Sequence, residues 1–429
     1  MPGDDGLVLT AEEQSMLAGE RGPATAMCMR LIVGVARANE AERLVPIESA
    51  HADGCLYHGV AGLEFTERLV TLGARVRVRT TLNVGSLDLL HPGLVRADAE
   101  VAENGRRLMD AHVALGCEPI WSCAPYQSGH RPTEGSHVAW AESNAIAFVN
   151  SVLGARTDRY GDFIDIAAGV VGRVPYSGLH LRRNRAAALV LDFSAIPAAL
   201  LDDDVAWPAI GALLGELAGT RVAALTGLPG DLNDGGVTED RLKALGATAA
   251  SAGGVALFHV VGVTPEAPTL DAVLGPEATT VPVTAHDLKR ARERLSTAAA
   301  TNSLDAVSLG TPHFSLAEFA ALALELRGGA SFSSSVDVFV STSRAVLAEA
   351  EARGYADAVR DAGGRVLTDT CTYVTPVLRD GIRTVMTNSG KWAWYAPANL
   401  GIDTVLGSLA ECVASARAGR VVRDERLWG

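Results

Sequence analysis

The runs LDAVSLG (304–310), SSVDVFVST (334–342) and RVLTDTCTYV (365–374) decide the fold. Each is a short apolar segment rich in β-branched residues and flanked by glycine, serine or aspartate, the pattern of a buried strand. The helical patterns Leu316–Glu325 and Arg344–Arg353 fill the gaps between them. Strand and helix alternating over short connections require a parallel sheet covered by helices. The same rhythm runs upstream through AAALVLDF (186–193), a helix over Trp207–Ala218, RVAALTGLP (221–229), a helix over Leu242–Ala252 and VALFHVVGV (255–263). Further back come helices over Ala11–Ala18, Ala24–Arg37, Glu64–Leu72, Gly105–Gly116 and Ala139–Leu153. Strand patterns LVPIESAHA (44–52), RVRVRTTLN (75–83) and EPIWSCAPY (118–126) lie between them. Thr10 and Glu13 have the spacing of a capping box. The expectation is an α/β protein in three blocks: 1–185 with most of the polar motifs, 186–285, and 286–429 with the C-terminal motifs.

Composition narrows the function. The 429 residues carry a net charge of −13 and are 48% apolar, with a pI near 5.3. An acidic chain without basic clusters offers no surface for nucleic acid or an anionic membrane. Met1–Leu9 lacks a basic n-region, and the longest uncharged apolar stretch, 247–263, is diluted by Ser251, Gly253, Gly254 and His259. Neither reads as a signal peptide or a membrane span, so the expected location is the cytoplasm. There thiols stay reduced, and the six cysteines point to metal, catalysis or packing. No CxxC pair, GxxxxGK[ST], strand-linked GxGxxG, GxSxG or HExxH is present.

Polar side chains gather beside glycines at the expected strand ends, where open α/β sheets place their sites. The clusters are Ser49–Cys55 with His51, Thr80–Asn83, Ser122–Gln127 with Cys123 and Tyr126, and Glu142, Ser143 and Asn144 with Asn150, Ser151, Arg156 and Thr157. Farther on lie Gly310–Ser315 with Thr311 and His313, Thr368–Cys371, and Thr387–Lys391 with Ser389. For Glu142–Asn150 the alternatives are a ligand-facing helix and an internal polar network that merely fixes that helix. Cys28, Cys117 and Cys412 fall on apolar helical faces or a helix end and read as small hydrophobes. Cys55, Cys123 and Cys371 each follow a strand pattern in a polar loop, and either pack or converge on an iron–sulfur cluster. Lys391, one of only three lysines, is either a solvated loop residue or an anchor for a carboxylate or phosphate.

These motifs resemble the large-subunit region of aconitase X, a branch of the aconitase superfamily. The likeness runs nearly end to end, through residues 9–36, SAHADG (49–54), TTLN (80–83), SCAPYQ (122–127), LGTPHFSLAEF (309–319), TDTCTYVTP (368–376), TNSGKWAWY (387–395) and GSLAECVASARAGR (407–420). WAESNAIAFVNSVLGARTDR (140–159) is its most specific piece. The resemblance implies three α/β/α layered domains of aconitase type with largely parallel sheets. It implies that the mobile swivel domain is absent from this chain and is supplied by a small partner subunit. It also implies an iron–sulfur-dependent hydro-lyase acting on a small hydroxy acid.

Within the family, the bacterial cis-3-hydroxy-L-proline dehydratase type, giving Δ1-pyrroline-2-carboxylate, is the expected activity. Mevalonate 5-phosphate dehydratase is the alternative, and a non-catalytic large subunit that supports a small partner is an alternative of another class. The mevalonate-phosphate type carries cysteine in GCPH, where this chain has Thr311. The resemblance therefore implies Cys55, Cys123 and Cys371 as cluster ligands, with [2Fe–2S] the first expectation and [3Fe–4S] or [4Fe–4S] the others. His51, Tyr126, Glu142 and Lys391 are the expected catalytic residues. Asn83, Ser143, Asn144, Asn150, Ser151, Arg156, Thr157, Thr311, His313 and Ser389 are the expected substrate contacts.

Overall fold

The computed structural model describes residues 6–298 and 303–428. The chain divides into two compact units. The first runs to Leu87 and resumes over Asp98–Ala186; the second comprises Asp88–Ala97 and the chain from Ala187 onward.

In the first unit, strands β1 (Leu44–Pro46), β2 (Ser49–Ala52), β3 (Arg79–Leu82), β4 (Ala139–Trp140) and β5 (Arg173–Pro175) are short. β2 is the centre of a parallel sheet in the order β3-β2-β4, while β1 and β5 pair antiparallel. The helix Pro23–Ala38 starts with proline, where the missing N–H costs nothing, and buries Cys28, Met29, Ile32 and Val33 along one face. It packs on the apolar helix Ile164–Val171, which lies against β2. Gly169 lets the same helix approach β3 closely: a Cβ there would come within 2.8 Å of Thr80 Oγ1.

Ala139 and Trp140 do not begin a helix. They pair with Ala50 and His51 as β4, and the helix spans Ser143–Ser151. Pairing across the sheet overrides a run of helix-favouring residues that local propensity alone would extend upstream. The RVRVR alternation likewise yields a strand only from Arg79, and the helix expected over Gly105–Gly116 occupies Ala99–Ala114, capped by Asp98.

The second unit holds two parallel sheets. β6 (Ala187–Asp192), β7 (Ala223–Thr226), β8 (Phe258–Val260) and β9 (Leu274–Pro282) form one, in the order β8-β7-β6-β9. β10 (Ala306–Phe314), β11 (Asp337–Thr342), β12 (Arg365–Thr368), β13 (Thr384–Thr387) and β14 (Asp403–Leu406) form the other, in the order β12-β11-β10-β13-β14. β10 is buried along its whole length, as a central parallel strand must be. Its register against β11 shifts between Leu309 and Phe314. Gly310 makes the irregularity possible, with φ +84° and the Ser341 carbonyl so close that a Cβ would fall 2.1 Å from it. The capping boxes at Thr10–Glu13, Ser315–Glu318 and Ser408–Glu411 are formed. Among the described residues no helix is long and apolar enough to cross a membrane.

Candidate active site

In the first unit the polar residues collect where β2, β3 and β4 end, and parallel pairing explains why. All three strands run the same way, so the residues after Ala52, Leu82 and Trp140 emerge at one edge. Asn83 Nδ2 donates to Asp53 Oδ1. The backbone N–H groups of Asp53 and Gly54 donate to Asp165 Oδ2 at 2.7 and 3.3 Å. Burial, then the charges of Glu142 and Asp162, push the Asp53 carboxyl up to about 7. Burial raises Asp165 to about 6, against three N–H groups that favour its charged form.

Glu142 holds a left-handed backbone, φ +73°, and caps the helix that follows: its Oε2 accepts from Ala145 N at 2.8 Å, and its Oε1 from the Ser143 hydroxyl at 3.1 Å. A non-glycine residue kept in that conformation marks a constrained position. Asn144 Nδ2 donates to the Cys123 carbonyl at 2.9 Å and to Tyr126 Oη at 3.0 Å, and the Tyr126 ring stacks on Phe148 at 3.5 Å.

Asn150 and Thr157 belong to a different group. Asn150 closes a double hydrogen bond on the Thr157 backbone, both contacts 3.0 Å, and accepts Arg185 as well. Thr157 Oγ1 accepts from Trp140 N at 3.1 Å. They form the internal network that fixes the helix. Ser151 is buried beside them in sequence, and Arg156, half-buried, bridges in backbone to His137.

Cys55 is fully buried among carbonyl oxygens, its thiol donating toward Asn83 at 3.3 Å, Val84 at 3.6 Å and Ala52 at 3.7 Å. Burial, with Asp53 and Asp165 adding, drives its pKa far up. His51 is also fully buried and bonds Thr81 Oγ1 through Nδ1 at 2.8 Å.

In the second unit, Thr311, Ser389 and Lys391 line a cleft of about 250 Å³ with Lys243, Glu318 and Trp207. Ser389 is the N-cap of the helix Gly390–Leu400: its hydroxyl accepts from Trp392 N at 3.0 Å and donates to the Thr311 carbonyl. Lys391 therefore sits in the first turn of a helix, where peptide dipoles and its own charge both favour an anion. Lys243, nearly fully buried, spends its donors on Asp240 at 2.9 Å, Glu318 and the His313 carbonyl. Burial alone would lower the Lys243 pKa; the two carboxylates outweigh it and raise it. Two carboxylates around one ammonium leave an excess negative charge, and burial pushes Glu318 up to about 7. His313 Nε2 lies 3.1 Å from the Thr370 carbonyl.

Burial raises the Cys371 thiol to about 11, but Lys391, the N–H groups of Tyr373 and Val374 and the Thr311 hydroxyl all act the other way, toward thiolate. Thr311, the position that departs from GCPH, is thus a direct neighbour of Cys371.

Asp53, Asp165 and Lys243 are the residues of this polar architecture that sequence reasoning passed over as individuals. Asp53 lay inside a quoted cluster and carried a signal. Asp165 and Lys243 carried none, since Asp165 meets Asp53 from 112 positions away and Lys243 meets Glu318 from 75, although its other carboxylate, Asp240, lies only three residues back.

Parallel sheets ending in polar, glycine-broken loops define an α/β protein with its polar groups gathered at the strand ends. Models of the aconitase X first, second and third domains match residues 6–183, 187–293 and 304–418. A cis-3-hydroxy-L-proline dehydratase from Pseudomonas aeruginosa is 41% identical across 99% of this chain and 72% of its own length. A phosphomevalonate dehydratase large subunit from Methanothermobacter thermautotrophicus is 38% identical across 92% of this chain and 96% of its own. The crystal structure of Thermococcus kodakaraensis aconitase X in its holo-form superposes with a TM-score of 0.85 at 33% identity, covering 96% of this chain and all of the other. The chain belongs to the aconitase X family.

An aconitase-type family suggests an iron–sulfur cluster. The donors on this chain fit one unevenly. Cys371 has the N–H groups and the nearby cation that a thiolate ligand needs. Cys55, enclosed by carbonyls and carboxyls, suits a protonated thiol. Among the described residues no three His, Cys, Asp or Glu side chains form a metal-sized group.

Proposed function

We propose that this hydro-lyase dehydrates cis-3-hydroxy-L-proline, removing the proton α to the carboxylate and the 3-hydroxyl as water. The enamine formed tautomerises to Δ1-pyrroline-2-carboxylate. The observation that carries the reading is the likeness to a hydroxyproline dehydratase over 99% of the chain. The cleft beside Lys391 accords with it. A lysine in the first turn of a helix suits a single carboxylate, and the neighbouring Lys243 is held by Asp240 and Glu318.

In this reading Lys391 and the N-terminal N–H groups of the helix Gly390–Leu400 receive the carboxylate. Ser389 keeps the turn rigid. Glu142, Ser143 and Asn144 orient the ring and its hydroxyl together with Asn83. His51 or Tyr126 handles the proton that accompanies the departing hydroxide. General acid–base help of this kind contributes ~10²–10⁴ in rate.

Cys371, Cys123 and Cys55 are the proposed cluster ligands, with Cys55 joining only once its thiol proton is lost, and [2Fe–2S] the proposed type. Such a cluster supplies Lewis acidity toward a substrate oxygen. A small swivel-domain partner, in keeping with relatives that are named large subunits, and a cytoplasmic setting complete the proposal.

The phosphomevalonate reading needs several converging cations. Of Arg156, Arg159 and Arg173, the last is held by Glu12 at 3.1 Å and Glu13 at 3.3 Å. Assaying the chain with and without a swivel-domain partner against both substrates tests the proposal. Dehydration of the hydroxyproline supports it. Turnover of mevalonate 5-phosphate alone, or of neither, overturns it.

A further inference from the structure

Thr81 on β3 stands between two imidazoles. Its Oγ1 lies 2.8 Å from His51 Nδ1 and 2.7 Å from His130 Nδ1, and all three side chains are buried. Both rings pack on Trp140, with centroids 5.7 and 4.9 Å away. A hydroxyl has one proton to donate and lone pairs to accept. If both Nδ1 atoms were bare, one would face the oxygen lone pair to lone pair. If both carried protons, the hydroxyl proton would point at neither ring. The bridge is satisfied when one Nδ1–H donates to Oγ1 while Oγ1–H donates to the other Nδ1.

Burial keeps both rings neutral, lowering each to about 3. A neutral imidazole carries a single N–H, so the two Nε2 atoms must differ, one bearing hydrogen and the other a lone pair. Neither Nε2 has a protein partner among the described residues. The charged groups facing His130 are Arg79 and Glu118, paired at 2.8 Å at the surface.

We propose that Thr81 locks His51 and His130 into complementary neutral tautomers, so that Thr81 and His130 are positioning residues that set which proton state His51 presents. The coupling conserves protons. If His51 exchanges one tautomer for the other, the hydroxyl reverses its donation and His130 exchanges in the opposite sense, each ring keeping one N–H. His51 sits on β2 two residues before Asp53, and its carbonyl accepts Ala141 N at 2.9 Å, next to Glu142. The pair therefore ties together the strands from which the polar residues emerge. The catalytic half of this inference rests on the dehydration reading; the tautomer half does not.

Long-range ¹H–¹⁵N spectra of histidine-labelled protein, with His130→Gln to assign the rings, test it directly. Expected are one Nδ1–H ring and one Nε2–H ring, a pattern kept in Thr81→Ser and lost in Thr81→Val. With cis-3-hydroxy-L-proline, Thr81→Val should lower kcat about tenfold or more with KM little changed, as misplaced groups do, and Thr81→Ser should restore it. Matching tautomers in the unaltered protein overturn the coupling, and this holds whether or not Thr81→Val folds. A normal kcat in Thr81→Val overturns the positioning role. Absence of hydroxyproline turnover in the unaltered protein overturns the dehydration reading and with it the catalytic half, while the spectra still decide the tautomers.

Discussion

The two units bury polar groups in opposite ways. The first hides neutral imidazoles: His51, His130 and His180 are lowered to about 3 and His112 to about 4, each chiefly by burial. The second hides charges in pairs: Lys243 between Asp240 and Glu318, Arg292 between Glu411 and Glu425, and Arg344 in a bidentate grip on Asp369 with both contacts 2.7 Å. A neutral ring needs one or two hydrogen bonds to be buried, whereas a charge needs an opposite charge. The contrast teaches that burial in the first unit is met by neutral rings, and in the second by ion pairs, of which the Lys243 group lines the cleft.

The largest expected effect separates chemistry from that contrast. Cys371→Ser should abolish turnover while far-UV circular dichroism and the melting profile remain those of a folded protein. Measurable activity in a cluster-free preparation would break the link between this thiol and catalysis.

Lys243→Met tests the paired-charge design. It leaves two carboxylates flanking an empty place and should cost about 3–5 kcal/mol in urea unfolding. A loss below ~1 kcal/mol, as for surface pairs, would show that the pair is hydrated.

Acid tests the imidazoles. A histidine neutral when folded and protonated when unfolded contributes stability that is complete above about 6.5 and is lost as pH falls toward its folded value. Each contributes about 1.4 kcal/mol per pH unit in that window. Asp53 and Asp165, raised to about 7 and 6, oppose this, as does Asp158, also raised by burial, but five imidazoles, His137 included, outnumber three carboxyls. In the second unit Asp204 and Glu318 are both raised to about 7, so their contribution grows as pH falls. Hydrogen exchange at pH 5 against pH 7, corrected for intrinsic rates, should show loosening in the first unit and little in the second. Equal loosening would break the comparison.

The smallest effect is at Ser408, whose hydroxyl caps the helix Leu409–Ala418. Ser408→Ala should lower stability by about 1 kcal/mol in the same urea experiment.

What the sequence disclosed follows the range of the interactions. β10 and β11 were legible because each contains a short β-branched apolar run bounded by polar residues, and the Thr10–Glu13 capping box because it closes within three residues. β4 was not, since only its pairing with Ala50 and His51 makes Ala139 and Trp140 a strand. Asn150 looked like a ligand contact because its partners, Thr157 and Arg185, are set by the fold rather than by spacing. Asp53 and Lys391 were visible as polar residues in strand-end loops. The proton affinity of Asp53 arises first from burial and then from Glu142 and Asp162, about 90 and 110 positions on, all of which only tertiary structure provides.

One measurement bears most directly on the whole account: freshly purified, anaerobically handled protein, with and without an added swivel-domain subunit, mixed with cis-3-hydroxy-L-proline and followed by proton NMR. The account predicts loss of the Cα proton signal and appearance of Δ1-pyrroline-2-carboxylate. An unchanged hydroxyproline spectrum beside dehydration of mevalonate 5-phosphate would contradict it.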